Sequence, residues 1–304
     1  MKILLFGCNG QVGWELQRSL AVLGEVLALG RDAAGNPQGL CGDLLDIGGL
    51  IGSVRAVRPE VIVNAAAYTA VDKAESEPAM AHAVNAQAPA ALAEAAGQSG
   101  AWLVHYSSEH VFDGSGEQPW CETDNMAPVN VYGQSKRDGD RAVAQNPKHL
   151  ILRTSWVHAA RGDNFAKTIL RGAALGQPLR VVDDQFGAPT SAPLLADVTA
   201  HVLRAAMARP ALAGTYHCAA AGQTSWYAYA CFVLAQACAL GRPVPAGSQP
   251  VTPIPSSAYP AAARRPLNGR LSTIKLQNTF GLHLPQWQAG LHRTLQETLL
   301  SNTL

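Results

Sequence analysis

The chain begins with a short apolar strand, a glycine-rich turn and a helix, and this order restricts the folds that the chain can adopt. Residues 2–6 (KILLF) are typical of a buried parallel strand, and residues 14–20 (WELQRSL) have helical periodicity. Between them lie Gly7, Gly10 and Gly13. Gly7 permits a tight turn, Gly10 lets backbone N–H groups approach a pyrophosphate, and Gly13 lets the helix pack closely on the strand. The segment predicts a dinucleotide-binding turn, although glycines also occur in ordinary turns.

Strand and helix patterns continue to alternate through the first half of the chain. Apolar runs at 25–29, 61–63 and 102–106 predict further strands, and the alanine-rich segment 78–98 predicts a helix. Such alternation predicts right-handed crossovers and an α/β fold with a Rossmann-type, doubly wound parallel sheet. In these sheets the ligand binds beyond the carboxyl ends of the strands.

The sequence changes character near residue 155, where proline and glycine become denser and sheet-like runs become fewer. Seven prolines lie between residues 243 and 266, which predicts loops that cover a substrate. We therefore predict a dinucleotide-binding Rossmann domain over residues 1–154 and a smaller, mainly substrate-binding C-terminal domain over residues 155–304. Because no long linker separates them, the two parts are expected to pack together, and the chain is free to cross back between them.

The composition excludes several classes of function. The 304 residues include 23 basic and 22 acidic side chains, so the net charge of +1 indicates no nucleic-acid partner and no anionic membrane surface. The six cysteines are scattered, with no CxxC pair and no His/Cys cluster at metal-ligand spacing, which predicts reduced thiols and no bound metal. No stretch approaches the ~20 apolar residues of a membrane span, so a cytoplasmic location is expected.

Small and polar residues follow two of the predicted strands. Residues 64–69 (NAAAYT) follow the strand at 61–63, and Ser107 and Ser108 follow the strand at 102–106. Because parallel strands end at the same edge of a sheet, these segments and the glycine-rich turn are expected to meet at one crevice. Serines are also common in simple turns, so the pair alone is consistent with either role.

Tyr132 and Lys136 lie four residues apart, which on a helix places both side chains on one face. An ammonium near a phenol favours the phenolate, and at roughly 4 Å and an effective dielectric of about 20 the attraction is about 4 kcal/mol before desolvation. The pair therefore predicts a tyrosine with a lowered pKa that transfers a proton near neutral pH. The same spacing also arises by chance on solvated helix faces.

In chain order, these motifs resemble the extended short-chain dehydrogenases/reductases and, more narrowly, the dTDP-4-dehydrorhamnose reductase family. The GxxGxxG spacing of the first turn favours this type over the usual GxGxxG dehydrogenase fingerprint. The resemblance covers essentially the whole chain and rests on residues 4–7, 10–16, 63–67, 69–75, 153–157, 164–167 and 184–190.

The resemblance implies that NAD(P)H delivers a hydride to the C4 keto carbon of dTDP-4-dehydro-L-rhamnose, which yields dTDP-L-rhamnose for cell-surface polysaccharide. Tyr132 is implied to donate a proton to the C4 alkoxide. Lys136 is implied to hold the nicotinamide ribose and to lower the Tyr132 pKa. Ser108 is implied to hydrogen-bond the same substrate oxygen, a role that either serine or threonine can fill.

The resemblance also implies binding residues. Those for the cofactor are Gly7, Gly10, Gln11, Val12 and Gly13 at the phosphates, Asp43 and Leu44 near the adenine, and Ala66, Ala67 and Thr69 along the ribose. Those for the nucleotide-sugar substrate are Ser108, Glu109 and Trp156. Arg265 is our candidate for a contact with the substrate diphosphate, because Arg suits phosphate geometry. Core packing of Trp156 and solvation of Arg265 are the alternatives.

The end of the second strand indicates the preferred cofactor. Relatives that use NADH readily carry an acidic residue here, whereas this chain has Gly30 followed by Arg31 and Asp32. Arg31 suits the 2′-phosphate of NADPH, and Asp32 offers a carboxylate to the ribose of NADH. We predict NADPH as the preferred cofactor, with NADH as the alternative.

The resemblance bears on assembly as well. Some relatives form dimers bridged by a divalent ion through acidic side chains, and one of these positions is Pro193 in this chain. Glu15 and Glu297 remain, but the set of carboxylates is depleted. We therefore predict no metal site and a monomer or weak homodimer.

Two other functions fit the same fold. A nucleotide-sugar epimerase or dehydratase is one, but dehydration typically needs an acidic pair, and here Glu109 is followed by His110. A non-catalytic, NADP-binding regulatory subunit is the other, and the presence of Ser108, Tyr132 and Lys136 argues against it.

Overall fold

In the computed structural model, which describes residues 1–242 and 251–300, a parallel sheet organises the N-terminal half of the chain. The strands are β1 (Lys2–Phe6), β2 (Glu25–Leu29), β3 (Val61–Asn64), β4 (Trp102–Ser108), β5 (His149–Thr154), β6 (Val157–His158), β7 (Arg180–Val182), β8 (Phe186–Gly187), β9 (Thr190–Ser191), β10 (Gly214–His217), β11 (Thr224–Ser225) and β12 (Thr252–Ile254). Within the described ranges, six of them form the main sheet in the order β10-β5-β4-β3-β1-β2, all parallel.

Helices cover both faces of this sheet and continue into the second half of the chain. They are α1 (Gln11–Ala21), α2 (Ile47–Val57), α3 (Val71–Ala74), α4 (Pro78–His82), α5 (Ala88–Ser99), α6 (Val131–Val143), α7 (Phe165–Ala174), α8 (Ala192–Ala208), α9 (Trp226–Ala239), α10 (Ile274–Phe280) and α11 (Trp287–Leu300). Across the described residues, the helices are too short or too polar to cross a membrane. Three of the predicted covering-loop prolines, at positions 243, 245 and 250, lie outside the described residues.

Alternation along β1 explains why the sheet is buried on both faces. Ile3 and Leu5 belong to one apolar cluster, which includes residues of α1 and α8, whereas Leu4 and Phe6 belong to another, which includes residues of α2 and α5. Successive side chains of a strand point to opposite faces, so an uninterrupted apolar run fits a strand covered on both sides. The predicted doubly wound α/β fold is confirmed.

The chain beyond residue 155 contributes both to a separate apolar cluster and to the main sheet. A third apolar cluster, which includes Ile169, Tyr229 and Leu291, joins α7, α9 and α11. Strand β10 instead returns to the main sheet beside β5, and α8 packs on α1. The domain boundary at residue 154 stays a prediction.

The segment predicted as one helix at 78–98 contains a break. A π-helical segment, Ala83–Gln87, lies between α4 and α5. Within it the buried side chain of Asn85 accepts a hydrogen bond from the Tyr68 N–H and donates to the Tyr68 carbonyl and to Ser135 Oγ, at 2.9, 2.9 and 3.0 Å. A Cβ added to Gly139 of α6 would lie 2.1 Å from the Asn85 carbonyl oxygen, so α6 packs backbone to backbone against this segment. The π-helical segment therefore links the loop after β3 to the position of α6.

Candidate functional site

A crevice of about 1070 Å³ lies at the carboxyl ends of β1, β3, β4 and β5. It is open at the point where the chain order of the strands reverses, between β1 and β3, as expected for a doubly wound sheet. The predicted site residues that line it are Gly7, Gly10, Gln11, Val12, Arg31, Asp43, Leu44, Ala66, Ala67, Thr69, Ser108, Glu109, Tyr132, Lys136, Trp156 and Arg265. Gly13 does not line it.

The glycine-rich turn has the geometry that its sequence requires. Gly7 has a φ of +85°, and a Cβ added there would lie 2.7 Å from the Ala66 amide nitrogen. A Cβ added to Gly13 would lie 2.0 Å from the Gly7 carbonyl oxygen. Gly7 therefore allows the loop after β3 to approach the turn, and Gly13 allows α1 to pack against it. Gly13 has the packing role predicted for it and does not face the crevice.

Helix α6 carries the predicted proton donor and is fixed at both ends. The Asn130 side chain caps its N-terminus, where Oδ1 accepts a hydrogen bond from the Gly133 N–H at 2.7 Å. Near its other end, the buried carboxylate of Asp140 accepts a hydrogen bond from Arg153 Nε of β5 at 2.9 Å. Asp140 follows Lys136 by one helical turn, so this ion pair sets the position of Lys136 relative to the sheet.

Tyr132 is buried, and its ring meets the His110 ring edge to face with 5.2 Å between centroids. Burial raises the pKa of Tyr132 and the charge of Glu109 raises it further, whereas a hydrogen bond with Ser108 lowers it. The prediction of a lowered pKa for Tyr132 is wrong for this structure, because desolvation of the phenol is the largest cause and raises the pKa. Tyr132 is therefore protonated at neutral pH.

Lys136 is buried beneath the crevice. Its Nζ donates a hydrogen bond to the Tyr106 carbonyl at 2.5 Å and lies 3.4 Å from His105 Nε2. Burial lowers the pKa of Lys136 to about 8, and Asp140 opposes that change. His105 was not identified from sequence, because a histidine inside an apolar strand has no distinguishing pattern.

Glu109 and Ser108 form a contact at the end of β4. The Ser108 hydroxyl donates a hydrogen bond to Glu109 Oε2 at 2.7 Å. Glu109 is only 4% exposed, and burial raises its pKa to about 7 although the hydrogen bond from Ser108 opposes this. The carboxyl group of Glu109 therefore changes charge near neutral pH.

Two further hydroxyl groups line the crevice without a hydrogen-bond partner among the described residues. They are Ser107 Oγ and Thr154 Oγ1, and both are buried. A buried polar atom without a partner costs about 1–3 kcal/mol, which a polar ligand relieves. Together with Lys136, they give this end of the crevice the polar groups that a ribose or an amide needs, so the residues present fit a bound dinucleotide.

Trp156 lies in a strained conformation at the wall of the crevice. Its φ is +47°, and its ring stacks on Trp226 with 3.6 Å between centroids and 15° between planes. Gly187 makes room for it, because an added Cβ would lie 2.6 Å from the Trp156 ring. Trp156 thus packs against other aromatic side chains and also faces the crevice. Trp226 was missed from sequence, since an aromatic residue opening an apolar helix predicts core packing.

Arg265 forms a bidentate ion pair with Asp72 of α3. Its Nη2 and Nη1 donate to Asp72 Oδ2 and Oδ1 at 2.6 and 3.1 Å, and the Ala263 N–H donates to the same carboxylate. The hydrogen bond from Arg265 is the largest cause that holds the pKa of Asp72 below its ordinary value. Arg265 is therefore held by an ion pair at the crevice wall, and its contact with the substrate diphosphate stays a prediction. Sequence reasoning did not find Asp72 as its partner.

The segment that follows β2 has a defined shape around Gly30. The Asn36 side chain accepts a hydrogen bond from the Gly30 N–H at 2.7 Å and donates to the Gly30 carbonyl at 3.0 Å. Asp32 is also engaged, because its carboxylate accepts a hydrogen bond from the Ala34 N–H at 3.0 Å. Arg31 is exposed and lines the crevice. Arg31 is therefore available to contact a cofactor in the crevice, whereas the Asp32 carboxylate is already hydrogen-bonded to its own turn.

The acidic residues considered for a bridging metal make other contacts. Glu15 lies 3.7 Å from Arg18, and Glu297 accepts a hydrogen bond from Arg293 at 2.9 Å. In the described part of the chain, His, Cys, Asp and Glu do not gather in groups of three or more suited to a metal ion. Metal binding and the predicted monomer or weak homodimer stay predictions.

The parallel sheet, the glycine-rich turn and the Tyr-x-x-x-Lys helix at one crevice define a protein of the short-chain dehydrogenase/reductase class. The chain belongs to the family described as the RmlD substrate binding domain, whose model matches residues 1–300. A relative from Salmonella typhimurium (strain LT2), named dTDP-4-dehydrorhamnose reductase, is 51% identical over 100% of both chains.

Solved structures agree with this family. A crystal structure of a dTDP-4-dehydrorhamnose reductase from Clostridium acetobutylicum has a TM-score of 0.85 and 34% identity, with 99% of this chain and 100% of that chain covered. A dTDP-4-dehydrorhamnose reductase from Bacillus anthracis, in complex with NADP, has a TM-score of 0.84 and 32% identity, with 98% and 99% covered.

Proposed function

We propose that this protein reduces the C4 keto group of dTDP-4-dehydro-L-rhamnose with NADPH to give dTDP-L-rhamnose, a precursor of cell-surface polysaccharide. The observation that carries the proposal is the convergence of Ser108, Tyr132 and Lys136 at one crevice of a chain about half identical to reductases of that name. A nucleotide sugar and a dinucleotide are both anionic ligands, and residues proposed to bind each of them line the same crevice of about 1070 Å³.

NADPH supplies the hydride when it is bound. Gly7, Gly10 and Gln11 would hold its phosphates at the start of α1, and Lys136 would hold the nicotinamide ribose. Further cofactor contacts are proposed for Val12, Asp43, Leu44, Ala66, Ala67 and Thr69. The N–H groups of Gly7 and Cys8 donate to the Leu29 carbonyl and that of Gly10 donates to the Gly7 carbonyl, so the N–H groups proposed for the phosphates are those of the first turn of α1, beginning at Gln11.

The residues around the substrate carbonyl have distinct roles in proton transfer. Tyr132 keeps its proton until charge develops on the C4 oxygen, because burial raises its pKa. Ser108 would hydrogen-bond the same oxygen, and Lys136 would place a positive charge near the phenolate that Tyr132 becomes. Glu109 and Trp156 line the part of the crevice proposed for the sugar.

Neither alternative function gains support from the site. Burial lowers the pKa of His110 to about 4, which disfavours its protonated form as the second acid of a dehydratase near neutral pH. A regulatory subunit has no need for a buried lysine and tyrosine at the crevice, and both are present.

The direct test is to incubate the protein with NADPH and dTDP-4-dehydro-L-rhamnose, follow the loss of reduced cofactor by absorbance, and identify the product. We expect stoichiometric oxidation of NADPH and formation of dTDP-L-rhamnose. An epimerase or dehydratase returns its cofactor to the starting state, so product formation without net NADPH consumption would overturn the proposal.

Arg31 is expected to set the preference for NADPH. Replacing Arg31 by Ala removes a charged contact with the 2′-phosphate, worth about 1.5–3 kcal/mol, so kcat/KM with NADPH should fall roughly 10- to 100-fold. The value with NADH should change little. Steady-state kinetics with both cofactors measure this. The exposed Arg55 of α2 provides the control, because Arg55→Ala removes the same charge away from the crevice. A parent protein with higher kcat/KM for NADH would contradict the prediction.

Arg265 is expected to bind the substrate diphosphate while Asp72 holds it in place. A guanidinium has five N–H donors, and the contacts with Asp72 and Ala263 use three of them. Arg265→Ala should raise the KM for the nucleotide sugar about tenfold and leave kcat nearly unchanged, because the contact exists before and during reaction. Arg264→Ala is the matched control, since Arg264 is exposed. An unchanged KM in Arg265→Ala would remove this residue from the substrate site.

A further inference from the structure

Three side chains, those of Glu109, Ser108 and Tyr132, line the crevice near the end of β4. The Ser108 hydroxyl donates a hydrogen bond to Glu109 Oε2 at 2.7 Å, and Ser108 lies close enough to Tyr132 to lower the pKa of the phenol. Ser108 Oγ accepts a further hydrogen bond from the His110 N–H at 3.2 Å. The proposed reduction uses Tyr132 and Ser108 but gives the Glu109 carboxyl no part in proton transfer.

The surroundings of Glu109 favour its neutral form. The backbone of Gly269 covers its side chain so closely that an added Cβ would lie 3.1 Å from Glu109 Cγ. Among the described residues, no lysine or arginine forms an ion pair with it. A carboxyl group in such a site has a pKa near neutrality because desolvation penalises the charged form, and the pKa of Glu109 is about 7.

The charge of Glu109 decides which way the Ser108 proton points. A carboxylate can only accept, so ionised Glu109 takes the Ser108 proton away from Tyr132 and from the crevice. Protonated Glu109 donates to Ser108 Oγ instead, which frees the Ser108 hydroxyl to donate toward Tyr132. Ionised Glu109 also raises the pKa of Tyr132, which makes the phenol a weaker acid. Both effects favour the reaction when Glu109 is protonated.

We propose that Glu109 is a positioning residue and proton reserve that restores the proton of Tyr132 through Ser108. This inference rests on the proposed reduction, in which one proton is consumed per ketone. The C4 alkoxide takes the proton of Tyr132, the phenolate takes the proton of Ser108, and Ser108 takes the proton of Glu109. Each transfer breaks one O–H bond and forms another, and Glu109 is left as a carboxylate. It regains a proton from solvent when product leaves.

Of the other titratable groups at this end of the crevice, the histidines and Arg265 do not change charge near neutral pH, whereas Lys136 does so within about one pH unit of Glu109. On the β4 side, burial lowers the pKa of His105 well below its ordinary value and that of His110 to about 4. On α6, the pKa of Lys136 is lowered to about 8, above that of Glu109. From the loop before Gly269, Arg265 is paired with Asp72. Variants of Glu109 therefore have to separate a loss of activity caused by Glu109 from one caused by Lys136.

The test compares the pH dependence of kcat for the parent protein, Glu109→Gln and Glu109→Asp, with NADPH and the keto sugar. In the parent, kcat should fall toward tenfold per pH unit above about pH 7. Glu109→Gln keeps the shape of the side chain but has no proton to transfer. Its kcat should therefore be about tenfold lower than that of the parent at low pH and should not change with pH through neutrality. Glu109→Asp should restore the titration. Glu94→Gln, at an exposed site on α5, should match the parent.

An infrared titration gives a second readout that does not depend on turnover. The parent should show a protonated carboxyl absorption that disappears near pH 7 and is missing in Glu109→Gln. A decline of kcat in Glu109→Gln that keeps the parental midpoint near pH 7, or an infrared band that persists in that variant, would overturn the inference. If the parent reduces no keto sugar, the proposed function fails, and the infrared result still decides whether Glu109 holds a proton.

Discussion

Replacing Tyr132 by Phe is expected to lower kcat about 10²- to 10⁴-fold, the contribution typical of a positioned general acid. The change removes one oxygen from a buried ring and leaves its edge-to-face contact with His110 in place. Binding of NADPH should therefore remain within a few-fold of the parent value. Stopped-flow or steady-state reduction of the keto sugar, together with a fluorescence titration of NADPH, measures both quantities.

Tyr259→Phe is the control for this experiment, because it makes the same chemical change at a side chain that is 48% exposed and does not line the crevice. We expect parent-like kinetics for it. Turnover by Tyr132→Phe within threefold of the parent would show that another group donates the proton, and the role proposed for Tyr132 would then be wrong.

Replacing Asp140 by Asn should lower the free energy of unfolding by about 3–5 kcal/mol. Asp140 and Arg153 are each nearly inaccessible to solvent, with side chains 2% and 4% exposed. The substitution preserves shape but leaves the guanidinium charge of Arg153 buried without a counter-ion. Urea denaturation followed by circular dichroism measures the change. Because Asp140 ties α6 to β5, activity should fall at temperatures where the variant is still folded.

Asp138→Asn is the matched control on the same helix. Asp138 pairs with Arg137 at 2.9 Å, but its side chain is 33% exposed, and surface pairs contribute about 0–1 kcal/mol. The two substituted residues lie two positions apart on α6, and only Asp140 is buried. Equal destabilisation by both would contradict the stabilising role of the Asp140–Arg153 pair.

Much of the fold follows from local patterns in the sequence. The strand at Lys2–Phe6 and the strand at Glu25–Leu29 have the predicted bounds, because short apolar runs between turns are typical of buried parallel strands. The strand at Trp102–Ser108 is two residues longer than predicted. Ser107 and Ser108 therefore belong to the strand and pair with β5, and the Ser108 side chain also caps the turn that follows by accepting a hydrogen bond from the His110 N–H.

Features that depend on contacts distant in sequence could not be predicted. The partner of Arg265 is Asp72, which lies 193 residues away, and nothing in either local sequence indicates the other. The pKa of Tyr132 was predicted in the wrong direction, because spacing reveals the neighbouring Lys136 but not the extent of burial. The π-helical segment at Ala83–Gln87 likewise depends on what Asn85 contacts across the fold.

The return of the chain to the main sheet has a consequence for synthesis and folding. Strand β10 pairs with β5 only after some sixty intervening residues have been made, so until then β5 is an open edge with unpaired backbone groups. Such an edge invites pairing with other nascent chains, and closing it late slows folding. A fragment that ends at residue 154 should therefore aggregate in cells, whereas one that continues past His217 has its sheet complete.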